Sequence, residues 1–167
     1  MVILASEERE IGYVKDANLI VDINNRKTFS LQIARTNWQS DLTFANYIYV
    51  PDEEFGGIIG EMLTDTSLDY VELRGFTWRG MLEHKIIEPP EGSAYKIVSG
   101  ELHSVLNELI YQEFGGLFVV STKDTGVVVT DYQFERYCTL LSGIKKMLKS
   151  VGYRLKLSHK LLHLLHL

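Results

Sequence analysis

The sequence predicts an α+β protein that is mainly β, with an antiparallel β-barrel or sandwich followed by a small α+β domain. Short strand patterns with polar turns crowd the first half of the chain, and two amphipathic helical patterns occupy the second half. Between them, the segment Glu88–Ser93 contains Pro89 and Pro90, which interrupt both helices and sheet ladders. We therefore predict a β domain at residues 1–88 and an α+β domain at residues 89–167.

The clearest strand pattern lies in residues 46–87. In Tyr70–Phe76 the apolar Val71 and Leu73 alternate with charged residues, and this period of two is typical of a strand with one buried face. Polar turns separate this strand from two earlier apolar runs, which predicts an antiparallel meander. The predicted elements are strands at Tyr47–Val50, Gly57–Leu63 and Tyr70–Phe76 and a short helix at Trp78–Glu83.

Two hairpins are predicted before the meander. Val2–Ala5 and Ile11–Val14 flank one polar turn, while Leu19–Ile23 and Thr28–Ile33 flank Asn24–Asn25. Asparagine tolerates the positive φ that tight hairpin turns require. With the meander, the hairpins give about seven short strands, which favours a barrel or sandwich over a parallel sheet.

The second half of the chain is predicted in the order helix, strand, strand, helix, strand. The first helix carries one apolar stripe, has Ser99 as its predicted N-cap and ends at Gly115. The next two apolar segments are predicted to pair as a hairpin. The predicted elements are a helix at Gly100–Phe114, strands at Leu117–Ser121 and Gly126–Thr130, a helix at Thr139–Val151 and a strand at Tyr153–Leu157.

Charge and composition argue against several function classes. The 167 residues carry a net charge of −5 with scattered basic residues, which argues against nucleic acid as the main partner. Glu7 and Glu8 interrupt the apolar N-terminus too early for a signal peptide or a membrane span, so we expect synthesis in a cytoplasm and no membrane insertion. The single cysteine, Cys138, excludes an internal disulfide and is predicted to be a small buried hydrophobe.

The metal-binding candidate is the histidine-rich end of the chain. Ser158–Leu167 contains His159, His163 and His166, and histidines four residues apart on a helix can bind zinc. This spacing supports an alternative function, a small metal-dependent hydrolase. However, the run lacks the glutamate of an HExxH motif, and no further ligand is suitably spaced. We therefore predict a truncated, frayed or non-native end, with neither metal nor cofactor.

No catalytic residues are predicted. The candidate acid–base groups are His103 with Glu101 and the neighbours Glu83–His84. Glu101 is not expected to face His103, and these residues are predicted to lie on the surface.

Gly56–Gly60 lacks the spacing of a phosphate-binding loop and is predicted to allow a bulge or a close backbone approach. Asp52–Glu54 is predicted to be a solvated turn. The protein is therefore predicted not to be an enzyme.

Aromatic residues form the remaining candidate site. Tyr47 and Tyr49 share one face of a predicted strand, and Trp38 and Trp78 are expected near them in the barrel. Aromatic side chains with a polar group are favoured at protein–protein interfaces, and they also fill small β cores. These four residues are therefore the predicted interface, and a carbohydrate-binding β module is a further alternative.

Five segments of the chain carry a family resemblance: Asn25–Ile33, Ala45–Val50, Gly57–Met62, Leu73–Phe76 and Met81–Ile87. In this order they resemble the N-terminal part of the tail hub proteins of siphophages and prophages. In that family a strand rich in Phe and Leu, a GxIE line, a VxGR strand end and an LLxRRI helix-to-loop step recur in this order. The resemblance covers Met1–Leu157, and Glu83–Lys85 stands where the family has an Arg-Arg pair.

The resemblance implies a structural component of a tail tip or baseplate hub, which joins the tail tube to distal adsorption or cell-wall-penetrating parts. Its implied partners are further copies of itself, as a trimer in a longer protein, and other tail proteins. The implied location is the virion tail, after synthesis in the cytoplasm of a bacterial host. Because the chains of this family are longer, we expect the sequence to be a fragment or a truncated prophage gene.

Overall fold

A computed structural model of the chain describes residues 1–6, 9–15, 17–21, 27–38, 42–121, 125–158 and 161–166. The chain divides into two compact units, Met1–Met81 (the first unit) and Leu82–Leu167 (the second unit). The domain boundary predicted at residues 88 and 89 stays a prediction.

The first unit is built on one seven-stranded sheet with the strand order β2-β1-β5-β6-β7-β4-β3, in which every neighbouring pair is antiparallel. The strand pairs of the predicted hairpins and meander are present, although Glu7 and Glu8 in the first hairpin turn and Asn24 and Asn25 in the second lie outside the described residues. The elements are β1 Val2–Ser6, β2 Arg9–Val14, β3 Asn18–Val21, β4 Thr28–Ala34, β5 Tyr47–Tyr49, β6 Gly56–Thr64, β7 Tyr70–Thr77 and helix α1 Trp78–Glu83.

The seven strands curl around a single apolar interior. Val14 from β2 belongs to the same buried cluster as Leu73 from β7, and Leu19 from β3 packs against that cluster. Since β2 and β3 are the two ends of the strand order, their contribution to one core requires a curved sheet. The alternation in β7 also holds, because Val71 and Leu73 are buried. The predicted fold class, α+β and mainly β, is therefore confirmed.

The predicted role of the glycines in β6 is also confirmed. The register between β6 and β7 shifts between Ile59 and Glu61, which places a β-bulge at Gly60. A Cβ atom at Gly57 would lie 2.0 Å from the Phe76 carbonyl oxygen, so only glycine allows the two strands to approach this closely.

Among its described residues, the second unit contains two small sheets and two α-helices. Strand β8 pairs with β10, and β12 lies between β11 and β9 in a three-stranded sheet. The predicted apolar stripes of both helices are buried. The elements are β8 Ile97–Glu101, α2 Leu102–Phe114, β9 Val119–Val120, β10 Val128–Gln133, α3 Leu140–Ser150, β11 Tyr153–Ser158 and β12 Leu161–His166.

The predicted start of α2 is wrong. Ser99 lies in β8, and the N-cap is Glu101, whose side chain accepts a hydrogen bond from the Ser104 amide. A cap must reach an amide two or three residues ahead, and Ser99 lies too early in the chain to do so. The Ser99 hydroxyl instead donates to Asp131 Oδ1 at 2.9 Å, across the sheet formed by β8 and β10.

The predicted hairpin after α2 is also wrong. β10 pairs in antiparallel fashion with β8, whereas β9 pairs in parallel with β12. The sequence pattern does not predict a strand at Ile97–Glu101. Without that partner for β10, the two later strands were predicted to pair with each other. The order of the predicted elements holds once β8 and β12 are added to it.

The predicted frayed end is a strand over residues 161–166, paired with β11 along its whole length. His163 and His166 belong to this strand, so the helical spacing that suggested zinc binding is not formed there. His159 lies outside the described residues.

Candidate interaction surface

The four predicted interface residues differ in burial. Trp78 is 0% exposed and its ring centroid lies 5.9 Å from that of Tyr47. A Cβ atom at Gly56 would lie 2.5 Å from Trp78 Nε1, so the indole packs directly on the β6 backbone. Tyr49 is also buried, and the position of Trp78 and Tyr49 favours core filling. Tyr47 and Trp38 are half-buried, and their contact with a partner stays a prediction.

Tyr49 connects two strands through a polar contact at the edge of the core. Its hydroxyl donates a hydrogen bond of 2.5 Å to Glu10 Oε1 on β2. Burial, followed by the hydrogen bond and the negative charge of Glu10, raises the pKa of Tyr49 to about 12. The phenol therefore stays protonated over the physiological pH range and acts as a donor.

The acidic turn before β6 is only partly a solvated turn. Asp52 and Glu53 are exposed as predicted, but the Glu54 carboxylate pairs with the Arg79 guanidinium at 2.9 Å. Among the described residues, no group of three His, Cys, Asp or Glu side chains is arranged to hold a metal ion.

The outer face of β4 and β7 carries a shallow groove that sequence reasoning missed. Its volume is about 580 Å³, and the exposed Ile20 and Phe76 lie at its sides. Ser30 and Arg74 line the groove, and both donate hydrogen bonds to Glu72, at 2.7 Å each. Hydrogen bonds from Arg74 and Ser30 lower the pKa of Glu72. An exposed phenylalanine in an alternating strand is the sequence signal that could have indicated this surface.

The acid–base candidates in the second unit have structural partners. Contrary to prediction, Glu101 does face His103, with Glu101 Oε1 and His103 Nδ1 separated by 3.0 Å. Burial acts to raise the pKa of Glu101, but hydrogen bonds from the His103 and Ser104 amides outweigh it and lower the pKa. Glu83 accepts a hydrogen bond from the Thr139 hydroxyl at 3.0 Å. The Glu101 carboxylate therefore caps the start of α2, and the Glu83 carboxylate joins the end of α1 to the residue that caps α3.

Cys138 is buried as predicted, and burial raises the pKa of its thiol.

Arg136, two residues before Cys138, lies near two tyrosine rings. The guanidinium carbon is 5.8 Å from the centroid of Tyr95 and 5.7 Å from that of Tyr137. Tyr137 is 79% exposed and Tyr95 40% exposed, so this cluster is open to solvent.

None of the helices in the described ranges is long and apolar enough to cross a membrane.

No protein-family model matches the chain, and no curated protein matches it.

The fold formed by the two units is that of phage and prophage tail proteins, which supports the resemblance found in the sequence. The tail protein from Neisseria meningitidis MC58 is similar with a TM-score of 0.63 at 16% identity, over 98% of this chain and 49% of that chain. Prophage tail protein gp18 from Listeria monocytogenes EGD-e is similar with a TM-score of 0.54 at 15% identity, over 98% of this chain and 49% of that chain.

A third solved structure, the 43 kDa tail protein of prophage MuSo2 from Shewanella oneidensis, is similar with a TM-score of 0.62 at 13% identity. The likeness covers 98% of this chain and 52% of that chain. The chain therefore spans about half the length of the solved tail proteins that it matches.

Proposed function

We propose that the chain is a structural, non-enzymatic component of a phage or prophage tail. The observation that carries this proposal is the extent of the fold likeness, since 98% of the chain matches each of three tail proteins. The match includes both units, so it does not depend on a common β sheet alone.

The finer part of the proposal is a role in the tail-tip or baseplate hub, where the chain joins the tail tube to distal parts. The first unit supports this role physically. Among the described strands, β2 and β3 each have only one neighbour in the sheet. Their outer backbone groups are available to a strand from a neighbouring subunit or tail protein, which is one way to build a ring from heterologous contacts.

The half-buried Trp38 and Tyr47 are the residues we assign to contacts within such an assembly. A trimer of the full-length gene product is the expected state, made in the host cytoplasm before it joins the virion. Light scattering on the full-length gene product tests the trimer. Trp38→Ala should shift the product towards monomer, whereas Phe44→Ala, at an aromatic residue that is 59% exposed, should not.

Immunogold electron microscopy tests the location. Antibodies against this chain should label one end of the tails of phage particles released by the source bacterium. Label along the tail shaft would support a tail protein and contradict the hub assignment. Particles that carry no label, from cells in which the chain is expressed, would contradict the proposed function as a whole.

A further inference from the structure

We propose that Tyr95, Arg136 and Tyr137, together the Arg136 patch, form a docking site for an acidic segment of a partner protein. The patch lies entirely in the second unit, and the inference does not depend on the proposed tail function.

Arg136 presents an exposed positive charge. In the described part of the chain no carboxylate forms an ion pair with its guanidinium, which lies near the rings of Tyr95 and Tyr137. The neighbouring Glu135 is engaged by Lys146 at 2.6 Å and does not neutralise it. Some lysines of this unit do have an acidic partner, as in the pair of Lys85 with Glu113 at 3.4 Å. A partner carboxylate would therefore complement a charge that the unit leaves uncompensated.

Two tyrosine rings, those of Tyr95 and Tyr137, lie near the Arg136 guanidinium. Arginine and tyrosine are the residue types that dominate binding energy at interfaces, and here two exposed tyrosines flank one arginine. The guanidinium carbon lies at cation–π distance from both rings, 5.8 Å from Tyr95 and 5.7 Å from Tyr137. In the described part of the chain no carboxylate occupies its donors, which leaves them for a bidentate contact with a partner carboxylate. The patch is therefore organised before a partner arrives, which reduces the ordering cost of binding.

A small cavity next to the rings suggests how an aliphatic side chain of the partner is held. The cavity has a volume of about 50 Å³, and Ile87, Pro89 and Phe134 line it beside the patch residues. This volume accommodates a small aliphatic group. We therefore expect the partner segment to combine acidic residues with small apolar ones.

The backbone at Tyr137 supports a role beyond packing. Tyr137 has a φ of +58°, a conformation that strains a bulky residue. The next residue, Cys138, is buried, and its carbonyl accepts a hydrogen bond from the Ile87 amide at 3.0 Å. The surroundings thus hold an exposed tyrosine in a strained position, where glycine or asparagine would fit with less strain.

Nucleic acid is a less suitable partner for this surface. Phosphate backbones require several clustered cations, whereas the chain has a net charge of −5 and the patch has one arginine without an acidic partner. Tighter binding of a single-stranded oligonucleotide than of an acidic peptide would therefore contradict the proposal.

The test is a titration of the ¹⁵N-labelled full chain with a capped peptide of alternating glutamate and valine, followed by amide chemical shifts. A peptide with glutamine in place of glutamate is the matched probe. Shifts confined to residues 94–96 and 134–138, seen only with the glutamate peptide and weakened by salt, are expected. Absence of shifts at millimolar peptide, equal shifts with the glutamine peptide, or tighter binding of oligothymidine would each overturn the proposal.

Variants locate the binding to the patch. Arg136→Ala should lower the affinity for the glutamate peptide by about tenfold, as expected for a central arginine. Arg154→Ala removes another exposed arginine of the same unit and should leave the affinity unchanged. Equal losses in the two variants would show that net charge alone governs the binding and would overturn the proposal. The amide spectrum of each variant shows directly whether it is folded.

Discussion

The Arg79 guanidinium donates two hydrogen bonds to the Glu54 carboxylate, from Nε to Oε1 at 3.1 Å and from Nη2 to Oε2 at 2.9 Å. The two side chains are 17% and 21% exposed, so water screens the pair less than it screens surface ion pairs. This contact joins the start of α1 to the turn that precedes β6.

Replacing Arg79 by lysine should destabilise the first unit by about 1–3 kcal/mol, because lysine cannot form the planar two-bond contact. Both tryptophans, Trp38 and Trp78, lie in this unit, so urea unfolding followed by tryptophan fluorescence measures it selectively. Glu61→Gln breaks an exposed ion pair with Arg74 and should cost less than about 0.5 kcal/mol. Equal costs for the two variants would contradict the assignment of a structural role to the Glu54–Arg79 pair.

Gly57→Ala should destabilise the first unit by about 3 kcal/mol or more, because the added methyl group overlaps the backbone of β7. The new Cβ would lie 2.0 Å from the Phe76 carbonyl oxygen. Gly60→Ala is the matched control in the same strand, since no atom lies within 4 Å of its added Cβ. The control should change stability by no more than about 0.5 kcal/mol. If Gly57→Ala were as stable as the control, the close approach of β6 and β7 would be refuted.

The stability of the first unit should fall as the pH rises from about 10 to about 12, in part because of Tyr49, whose pKa the fold raises from 10.0 to about 12. The unfolded phenol loses its proton at the lower pH, so rising pH favours the unfolded state over this range. Tyr49→Phe should reduce the slope of stability against pH, as measured by urea unfolding at several pH values. Tyr13→Phe, at an exposed tyrosine of β2, is the control, and an equal effect in both variants would argue against the buried contact with Glu10.

Tyr137→Asn should stabilise the second unit by about 0.5–1 kcal/mol, because asparagine tolerates a positive φ better than tyrosine does. The same variant should weaken binding of the glutamate peptide, so stability and binding change in opposite directions. Amide hydrogen exchange in α3 measures the free energy of unfolding of this unit. Tyr111→Asn changes an exposed tyrosine within α2 and should destabilise by a few tenths of a kcal/mol instead. A loss of stability in Tyr137→Asn would refute the strain at this position.

The sequence predicted most of the first unit because its core depends on alternation, as at Val71 and Leu73, and because consecutive strands pair with one another. The second unit was harder because its pairings are not local. β8 is short and contains Ser99 and Gly100, which read as the start of a helix, and β9 has only two residues. The contact between Glu101 and His103 was missed for the same reason, since it depends on where α2 begins. The Arg136 patch has no sequence motif and depends on the non-local pairing of β8 with β10, which brings residues 95 and 136 together.

The position of β12 between β11 and β9 has a consequence for the order in which the second unit folds. Val119 pairs with Leu161, about 40 residues later in the chain. During synthesis, β9 emerges from the ribosome long before the strand that completes its hydrogen bonds. The three-stranded sheet can therefore close only after β12 has emerged from the ribosome, whereas the β8–β10 pair can form earlier.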